Sequence, residues 1–331
     1  MSGSAGRIVT VTPNPSLDRT YELPAPAPLV RGGVNRAAGD RLDPGGKGVN
    51  VSRALTAAGH ATRAVLPLGG PGGRLLGELL AEQGIEVRAV PVRGGTRINV
   101  GVAEPGGPLT KINAPGPELT PAESAALLAE VRDSARAGTG WLACCGSLPR
   151  GLPDDWYARA VAAVHGAGAR IALDTSGPAL AAALAAGPDV LKPNLDELAE
   201  AVGGELRTLG DAVDAAKELR KRGAVAVLAS LGARGMLLVA EDGCWYGTAP
   251  VDPAEVRSDV GAGDASLAGF LGAGGAGGAA GGAAGPAALA AALAHGAAAV
   301  RLPGSAMPRP SDLRPQDVTV TPDLSPDLRL R

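Results

Sequence analysis

In the stretch Ser258-Asp259-Val260-Gly261-Ala262-Gly263-Asp264, two glycines and a carboxylate stand at the head of an apolar run, Ala265, Leu267, Ala268, Phe270 and Leu271. Glycine lets the chain turn tightly, and the N–H groups of such a turn point into one concavity at the positive end of the helix that follows. A concavity of this kind suits an anion such as a phosphoryl group. An ionised Asp264 would be repelled if the site only stored phosphate. It belongs there as a base that takes a proton from an attacking hydroxyl, while the amides hold the charge growing on the phosphoryl group. The motif points to phosphoryl transfer to an alcohol; read alone, it is equally an aspartate capping a helix.

Three further stretches could serve the same chemistry. Pro44-Gly45-Gly46-Lys47-Gly48-Val49-Asn50 opens a helix whose apolar side is Val51, Ala54, Leu55 and Ala58. Lys47 and Asn50, three apart in its first turn, point the same way and suit a polyhydroxylated or phosphorylated ligand. Gly48 follows Lys47 where a phosphate-binding P-loop has Ser or Thr, so that motif is excluded; a glycine-rich turn with a solvent-facing lysine is the plainer alternative. In Lys192-Pro193-Asn194-Leu195-Asp196-Glu197, Asn194 and Glu197 lie one helical turn apart. They could hold waters of a nucleotide-bound Mg²⁺, which needs few protein oxygens, or form a simple capping box. Ser230-Leu231-Gly232-Ala233-Arg234-Gly235 is a turn over which a nucleotide could lie, or a hairpin into residues 236–240. Gly69-Gly70-Pro71-Gly72-Gly73 lacks the third glycine of a dinucleotide fingerprint, Leu75 standing in its place, and reads as a turn only.

These motifs need a scaffold. Short apolar runs at 7–12, 62–67, 86–92, 141–145, 170–174, 189–192, 225–230 and 236–240 alternate with amphipathic stretches such as 121–137, 154–165 and 209–222. Such alternation predicts an α/β protein, a mostly parallel central sheet covered by helices on both faces, with ligands at the carboxyl ends of its strands. Two segments break the pattern. From Thr96 to Ala103 the residues alternate strictly, with Ile98, Val100 and Val102 on one face and Arg97, Asn99 and Gly101 on the other. The chain from Asp18 to Asp43 is extended and Pro-rich. Together they predict a small separate sheet able to cover a ligand, with Arg97 and Asn99 facing it.

Composition narrows the function. With 331 residues, 45% hydrophobic and 19% charged, the chain can bury a large core, and its formal charge of −2 offers nucleic acid no basic field. The uncharged span 269–300 is nearly all Gly and Ala, broken by Pro286, and too weakly apolar for a membrane. Residues 272–285 read as a flexible loop before an Ala-rich helix at 287–302. No signal peptide is expected, and three scattered cysteines, with Cys144 and Cys145 on opposite strand faces, suggest a cytoplasmic setting. His60, His165 and His295 are isolated from one another and from any acidic motif, against a triad or zinc hydrolase.

In order and spacing the motifs resemble the ribokinase-like carbohydrate kinases of the PfkB family, from Val9 to about Gly304. Gly45–Asn50 is similar to the family's N-terminal signature and Asp259–Asp264 to its C-terminal one. The opening Thr10-Val11-Thr12-Pro13-Asn14-Pro15-Ser16-Leu17-Asp18-Arg19-Thr20, with Thr96-Arg97-Ile98-Asn99-Val100, Gly146-Ser147-Leu148-Pro149 and Lys192-Pro193-Asn194, resembles its phosphosugar branch. The resemblance implies a single three-layer α/β/α ribokinase-like domain over 1–331, with lid segments at about 18–43 and 93–113. It implies ATP-dependent phosphorylation of fructose 1-phosphate, or alternatively of tagatose 6-phosphate or fructose 6-phosphate. Asp264 would be the base and the amides of Gly261, Ala262 and Gly263 the anion hole. Asp18, Gly46, Lys47, Asn50 and Asn99 would hold the sugar, and Arg97, with Lys47, its phosphate. Lys192, Asn194, Ser230, Gly232, Gly235, Ser258 and Val260 would line the ATP site, with Mg²⁺ held through water by Glu197 and Asn194. Lid sheets of relatives often meet across a dimer, which implies a homodimer here. Ala265 departs from the serine that usually follows the signature aspartate, and the tract at 272–285 lies where relatives border the adenine. A non-catalytic sugar-phosphate sensor on this scaffold would have lost the base or the glycines, and both are present.

Overall fold

Alternate residues of the apolar runs enter two different cores. In Thr139–Cys145, Trp141, Ala143 and Cys145 pack on one face with Phe270 and Leu289, while Leu142 and Cys144 pack on the other with Leu127 and Trp156. A strand buried on both faces reads as an unbroken apolar run because neither face meets water. The computed structural model describes residues 7–330 except 27, 108, 137 and 275–284.

The chain begins with β1 (Arg7–Val11), β2 (Ser16–Glu22), β3 (Gly39–Gly45), α1 (Lys47–Ala57), β4 (Thr62–Leu68), α2 (Gly70–Glu82) and β5 (Glu86–Pro91). There follow β6 (Arg97–Ala103), β7 (Leu109–Ile112), α3 (Pro121–Arg136), β8 (Thr139–Cys145), α4 (Trp156–His165), β9 (Arg170–Asp174), α5 (Gly177–Leu184) and β10 (Val190–Leu191). The remainder is α6 (Leu195–Val202), α7 (Leu209–Lys221), β11 (Ala226–Ser230), β12 (Met236–Val239), β13 (Cys244–Thr248), α8 (Ala262–Gly274), α9 (Pro286–Val300) and β14 (Thr319–Thr321).

The main sheet has ten strands in the order β14-β13-β12-β11-β10-β9-β8-β1-β4-β5. It is parallel from β11 to β5 and antiparallel at the β12–β14 edge. Helices α3 to α7 cover one face; α1, α8 and α9 cover the other, and α2 closes a third cluster around Leu66, Leu76 and Leu80. Residues that follow β1, β8, β9, β10 and β11 therefore gather along one rim of the sheet.

The alternating segments form a second sheet, β3-β2-β6-β7. β2 and β6 run parallel, with Ser16 opposite Arg97 and Asp18 opposite Asn99, so these four share one face. Ile98 and Ile112, on the opposite face, are 49% and 64% exposed. β3 leads directly into α1, which joins the small sheet to the rim of the large one.

Several local expectations change. Gly69–Gly73 is the start of α2 rather than a turn alone: Gly69 caps the helix with its amide on Thr96 Oγ1, and Pro71 sits in the first turn, where a missing N–H costs nothing. Residues 272–274 prolong α8 and Gly285 caps α9, which runs 286–300 instead of 287–302; the loop expected at 272–285 otherwise lies outside the described residues. β13 and β14 are additional strands at the antiparallel end of the sheet, whose half-exposed side chains carry no strong periodic signal. Among the described residues no helix is long and apolar enough to cross a membrane.

Candidate active site

Strand alternation decides which polar side chains meet. Ala172 in β9 and Val190 in β10 face the α1–α8 layer, so Asp174 and Lys192, two residues further on, face it too. Asp174 is 1% exposed and bridges two lysines: Oδ1 accepts from Lys47 Nζ at 2.7 Å and Oδ2 from Lys192 Nζ at 2.8 Å. Lys47 also reaches Glu197 Oε1 at 3.3 Å. Burial works against the charge on both lysines, but Asp174 and Asp264, joined at Lys47 by Glu197, together outweigh it, and both stay above their ordinary values. Burial alone would raise the Asp174 pKa; the two ammonium groups reverse that and hold the carboxylate ionised.

The first turn of α1 lies close against the end of β1. A Cβ on Gly48 would stand 2.5 Å from Thr12 Oγ1 and 2.9 Å from the Val11 carbonyl oxygen, so only glycine permits this approach. The contact places Lys47 over Asp174 and Asn50 over the head of α8. There Gly261 turns the chain with φ 80°, and Ala265 N–H donates to its carbonyl at 2.8 Å. Asp264, in the first turn of α8 and 8% exposed, accepts a hydrogen bond from Asn50 Nδ2 at 2.9 Å. Burial, and next the charge of Asp174, push its pKa up to about 6, against the Asn50 bond and the two lysines. A buried carboxylate that still ionises near neutral pH is suited to accept a proton.

Of the turn amides, Ala262 N–H is engaged by the Asp259 carbonyl at 3.3 Å and Val260 N–H by Ser258 Oγ at 3.1 Å. Lys192 approaches the same turn, since a Cβ on Gly263 would lie 3.4 Å from its Nζ. An anion at the head of α8 would meet first-turn N–H groups and this ammonium together.

Between the small sheet and the rim lies a cleft of about 340 Å³, lined by Asn14, Ser16, Gly46, Lys47, Asn50, Arg97, Asn99, Ser147, Thr175 and Glu197, among others. Arg97 is half-buried and donates to the carbonyls of Ala114 at 2.8 Å and Asn14 at 3.0 Å. Asn99 Nδ2 donates to Asp18 Oδ1 at 2.8 Å and Ser16 Oγ at 3.0 Å, and Ser16 Oγ donates to Asp18 Oδ1 at 2.7 Å. This face of the small sheet is thus a hydrogen-bonded polar surface.

Asn194, Ser230, Gly232 and Gly235 are not part of that lining. Asn194 and Glu197 form a full capping box on α6, each side chain taking the other's amide. Asn194 bridges Ser230, and Ser230 N–H donates to the Pro193 carbonyl at 3.0 Å. Ser230 ends β11, and Gly232 and Gly235 shape the turn of the antiparallel β11–β12 pair, so the hairpin is present. Glu197 keeps its place in the cleft lining while tied to Lys47 and Asn194 N–H, so its carboxylate stands beside two donors at the edge of the open space. Each of its oxygens has a second lone pair beyond these bonds, enough to accept from a water of a Mg²⁺ held mainly by phosphates. Among the described residues no group of three or more His, Cys, Asp and Glu could hold a metal by itself.

Sequence reasoning missed Asp174. Its signal was an acid ending an apolar parallel strand, with Thr175-Ser176-Gly177 behind it, at the rim where ligands of such sheets bind. Cys144 and Cys145 are fully buried on opposite faces, and burial pushes both thiols up, away from reactivity.

A family profile described as "pfkB family carbohydrate kinase" matches residues 12–312. The 1-phosphofructokinase of Rhodobacter capsulatus is 39% identical over 266 residues, 80% of this chain and 83% of its own. The ATP-dependent 6-phosphofructokinase isozyme 2 of Mycobacterium tuberculosis strain H37Rv is 37% identical over 79% of this chain and 76% of its own. A crystal structure of phosphofructokinase-2 from Escherichia coli in complex with potassium superposes with a TM-score of 0.84, 32% identity, and coverage of 93% and 96% of the two chains.

Proposed function

This chain belongs to the pfkB family of carbohydrate kinases, and from that membership and the geometry of the cleft we propose that it is a 1-phosphofructokinase, converting fructose 1-phosphate and ATP to fructose 1,6-bisphosphate and ADP. The observation that carries the chemistry is Asp264: a buried carboxylate at the head of α8, its pKa near 6, with Asn50 on one side and Lys192 beside the same turn.

In this reading the sugar lies in the cleft against Asp18, Gly46, Lys47, Asn50 and Asn99. Its existing phosphate meets Arg97, whose planar fork suits that group. Asp264 takes the proton of the acceptor hydroxyl, and the oxygen so freed attacks the γ-phosphorus of ATP in line. The bond to the β–γ bridging oxygen breaks and ADP leaves with that electron pair. Charge on the transferring group is held by the amides of Gly261 and Gly263, by that of Ala262 once it leaves the Asp259 carbonyl, and by Lys192. Lys47, fixed by Asp174, adds positive charge on the sugar side. Asn194, Ser230, Gly232, Gly235, Ser258 and Val260 line the nucleotide path along the neighbouring strand ends. Glu197 and Asn194 would hold a Mg²⁺ through water, and that ion would supply further neutralisation of phosphate charge.

The whole chain acts as one kinase domain, in which the segments at 18–43 and 93–113 form a lid that excludes water as a competing acceptor. The apolar outer face of that lid, with Ile98 and Ile112 exposed, supports a homodimer through the lid. A cytoplasmic setting fits the three free cysteines.

The test is a coupled ADP-release assay with Mg-ATP against fructose 1-phosphate, fructose 6-phosphate, tagatose 6-phosphate and free fructose, on the wild type and Asp264→Asn. The expected result is highest kcat/KM for fructose 1-phosphate and a kcat lowered about 10²–10⁴-fold in the variant, with sugar-phosphate binding kept. Preference for a 6-phosphate would move the acceptor while keeping the mechanism. Near-normal turnover in Asp264→Asn would remove Asp264 as the base.

A further inference from the structure

Asn50, the partner of Asp264, is itself held from behind. Arg53, one turn along α1, donates through Nη1 to Asn50 Oδ1 at 3.3 Å, and through the same nitrogen to Ser305 Oγ at 3.3 Å and the Pro44 carbonyl at 3.4 Å. Its Nε donates to Gln83 Oε1 at 3.1 Å. The guanidinium therefore joins four places: the strand entering the glycine turn, the first turn of α1, the end of α2, and the chain after α9. The last of these also touches the anion turn, because a Cβ on Gly261 would lie 3.1 Å from Met307 Cε.

The chemistry of these partners is one-directional. A guanidinium has only donors, so the Asn50 atom facing it must be the oxygen. An ionised carboxylate has only acceptors, so the atom facing Asp264 must be the nitrogen. Flipping the amide would satisfy a protonated Asp264, by turning Oδ1 toward its O–H, but would set the Asn50 NH₂ against the Arg53 donors. We propose that Arg53 is a positioning residue that locks the Asn50 amide in the donor orientation, so that Asn50 supports only the ionised, proton-accepting form of Asp264. This proposal rests on Asp264 being the base.

Besides Asn50, the charged and titratable groups around Asp264 are Lys47 from α1, Asp174 from the end of β9, Lys192 after β10, and the Cys145 thiol of β8. None of them touches Arg53 in a hydrogen bond, so replacing Arg53 leaves their pairings in place. Without Arg53 the amide is free to flip and to accept a hydrogen bond from protonated Asp264. Hydrogen bonding to the neutral form raises a carboxyl pKa, so the acidic limb of the kcat–pH profile moves to higher pH, by about half a unit to one unit.

The test is the kcat–pH profile, with saturating Mg-ATP and sugar phosphate, of the full-length wild type, Arg53→Met, Arg53→Gln and Arg53→Lys, each repeated in an Asn50→Ala background. Substrate phosphates titrate in the same range but do so equally for every variant. Arg53→Met and Arg53→Gln should both shift the limb upward, since methionine has no donor and glutamine can turn its own carbonyl to a flipped Asn50. Arg53→Lys, donor-only like arginine, should restore the limb toward the wild-type position. In the Asn50→Ala background, replacing Arg53 should shift nothing further. Thermal melts identify any variant that fails to fold, and either Met or Gln suffices to read the shift. A limb that stays in place in the folded variant, or one that moves equally without Asn50, overturns the proposal. If Asp264→Asn itself retains turnover, the base assignment has failed; if it does not and the limb is unmoved, only the role of Arg53 has.

Discussion

A buried carboxylate in the role proposed for Asp264 should make the enzyme less stable as it ionises. Asp264 titrates near 6 in the folded chain, against 3.8 for an ordinary aspartate. Below pH 3.8 the group is protonated whether folded or unfolded and contributes no difference. As pH rises, the unfolded chain releases this proton first, so stability falls until the folded group has ionised as well. The gap of about two pK units corresponds to about 3 kcal/mol, at 1.36 kcal/mol per unit. Asp264→Asn keeps the shape and removes the titration. Urea unfolding of both proteins from pH 4 to 8 should therefore show the variant gaining on the wild type by about 3 kcal/mol across that range, most steeply between pH 4 and 6. Any fixed effect of the substitution adds the same amount at every pH and leaves the slope unchanged. A difference that is flat with pH, or a wild type that gains on the variant as pH rises, would refute the reasoning from burial to pKa.

Four further outcomes follow from particular contacts. Asp174→Asn leaves two lysines without their shared carboxylate and should lower stability by about 3–5 kcal/mol in urea titrations, nearer the lower figure because Lys47 is 39% exposed. It should also move the acidic limb of kcat downward, since the charge of Asp174 helps to raise Asp264. Gly48→Ala forces α1 away from Thr12 and Val11, and should cost about 1–3 kcal/mol with a loss in kcat, whereas Gly204→Ala, with open space around its Cβ, should match the wild type in both. Arg97→Ala should raise KM for the phosphorylated ketose about 10- to 100-fold while leaving free fructose unchanged, a contrast steady-state kinetics reads directly. Ile112→Lys places a charge on the exposed apolar lid face and should shift sedimentation from dimer to monomer; a wild type that sediments as a monomer would remove the lid interface.

Local rules account for much of this protein. The β8 run Trp141–Cys145 is apolar on both faces because each face feeds a different core, and that made the layered α/β architecture legible in the sequence. The strict alternation around Arg97 and Asn99 likewise marked a sheet with one polar face. The turn at Gly261 and the helix start at Asp264 were legible because glycine permits the positive φ of a tight turn and an acid suits a helix N-terminus. α2 was not legible at its start, since Gly69–Gly73 is a breaker-rich string and the helix is anchored further on by Leu76, Leu79 and Leu80, packed on the cluster around Leu66.

What the tertiary structure alone decided is which distant charges share one space. Asp174 lies 127 positions from Lys47, and Asn50 lies 214 from Asp264, yet each pair is in hydrogen-bond contact. No periodicity links them; they meet because parallel strands end along one rim and because Gly48 lets α1 sit directly on it. The raised pKa of Asp264 has the same origin. It depends on exclusion of water and on a neighbouring carboxylate, and both are properties of the packed site rather than of any stretch of sequence.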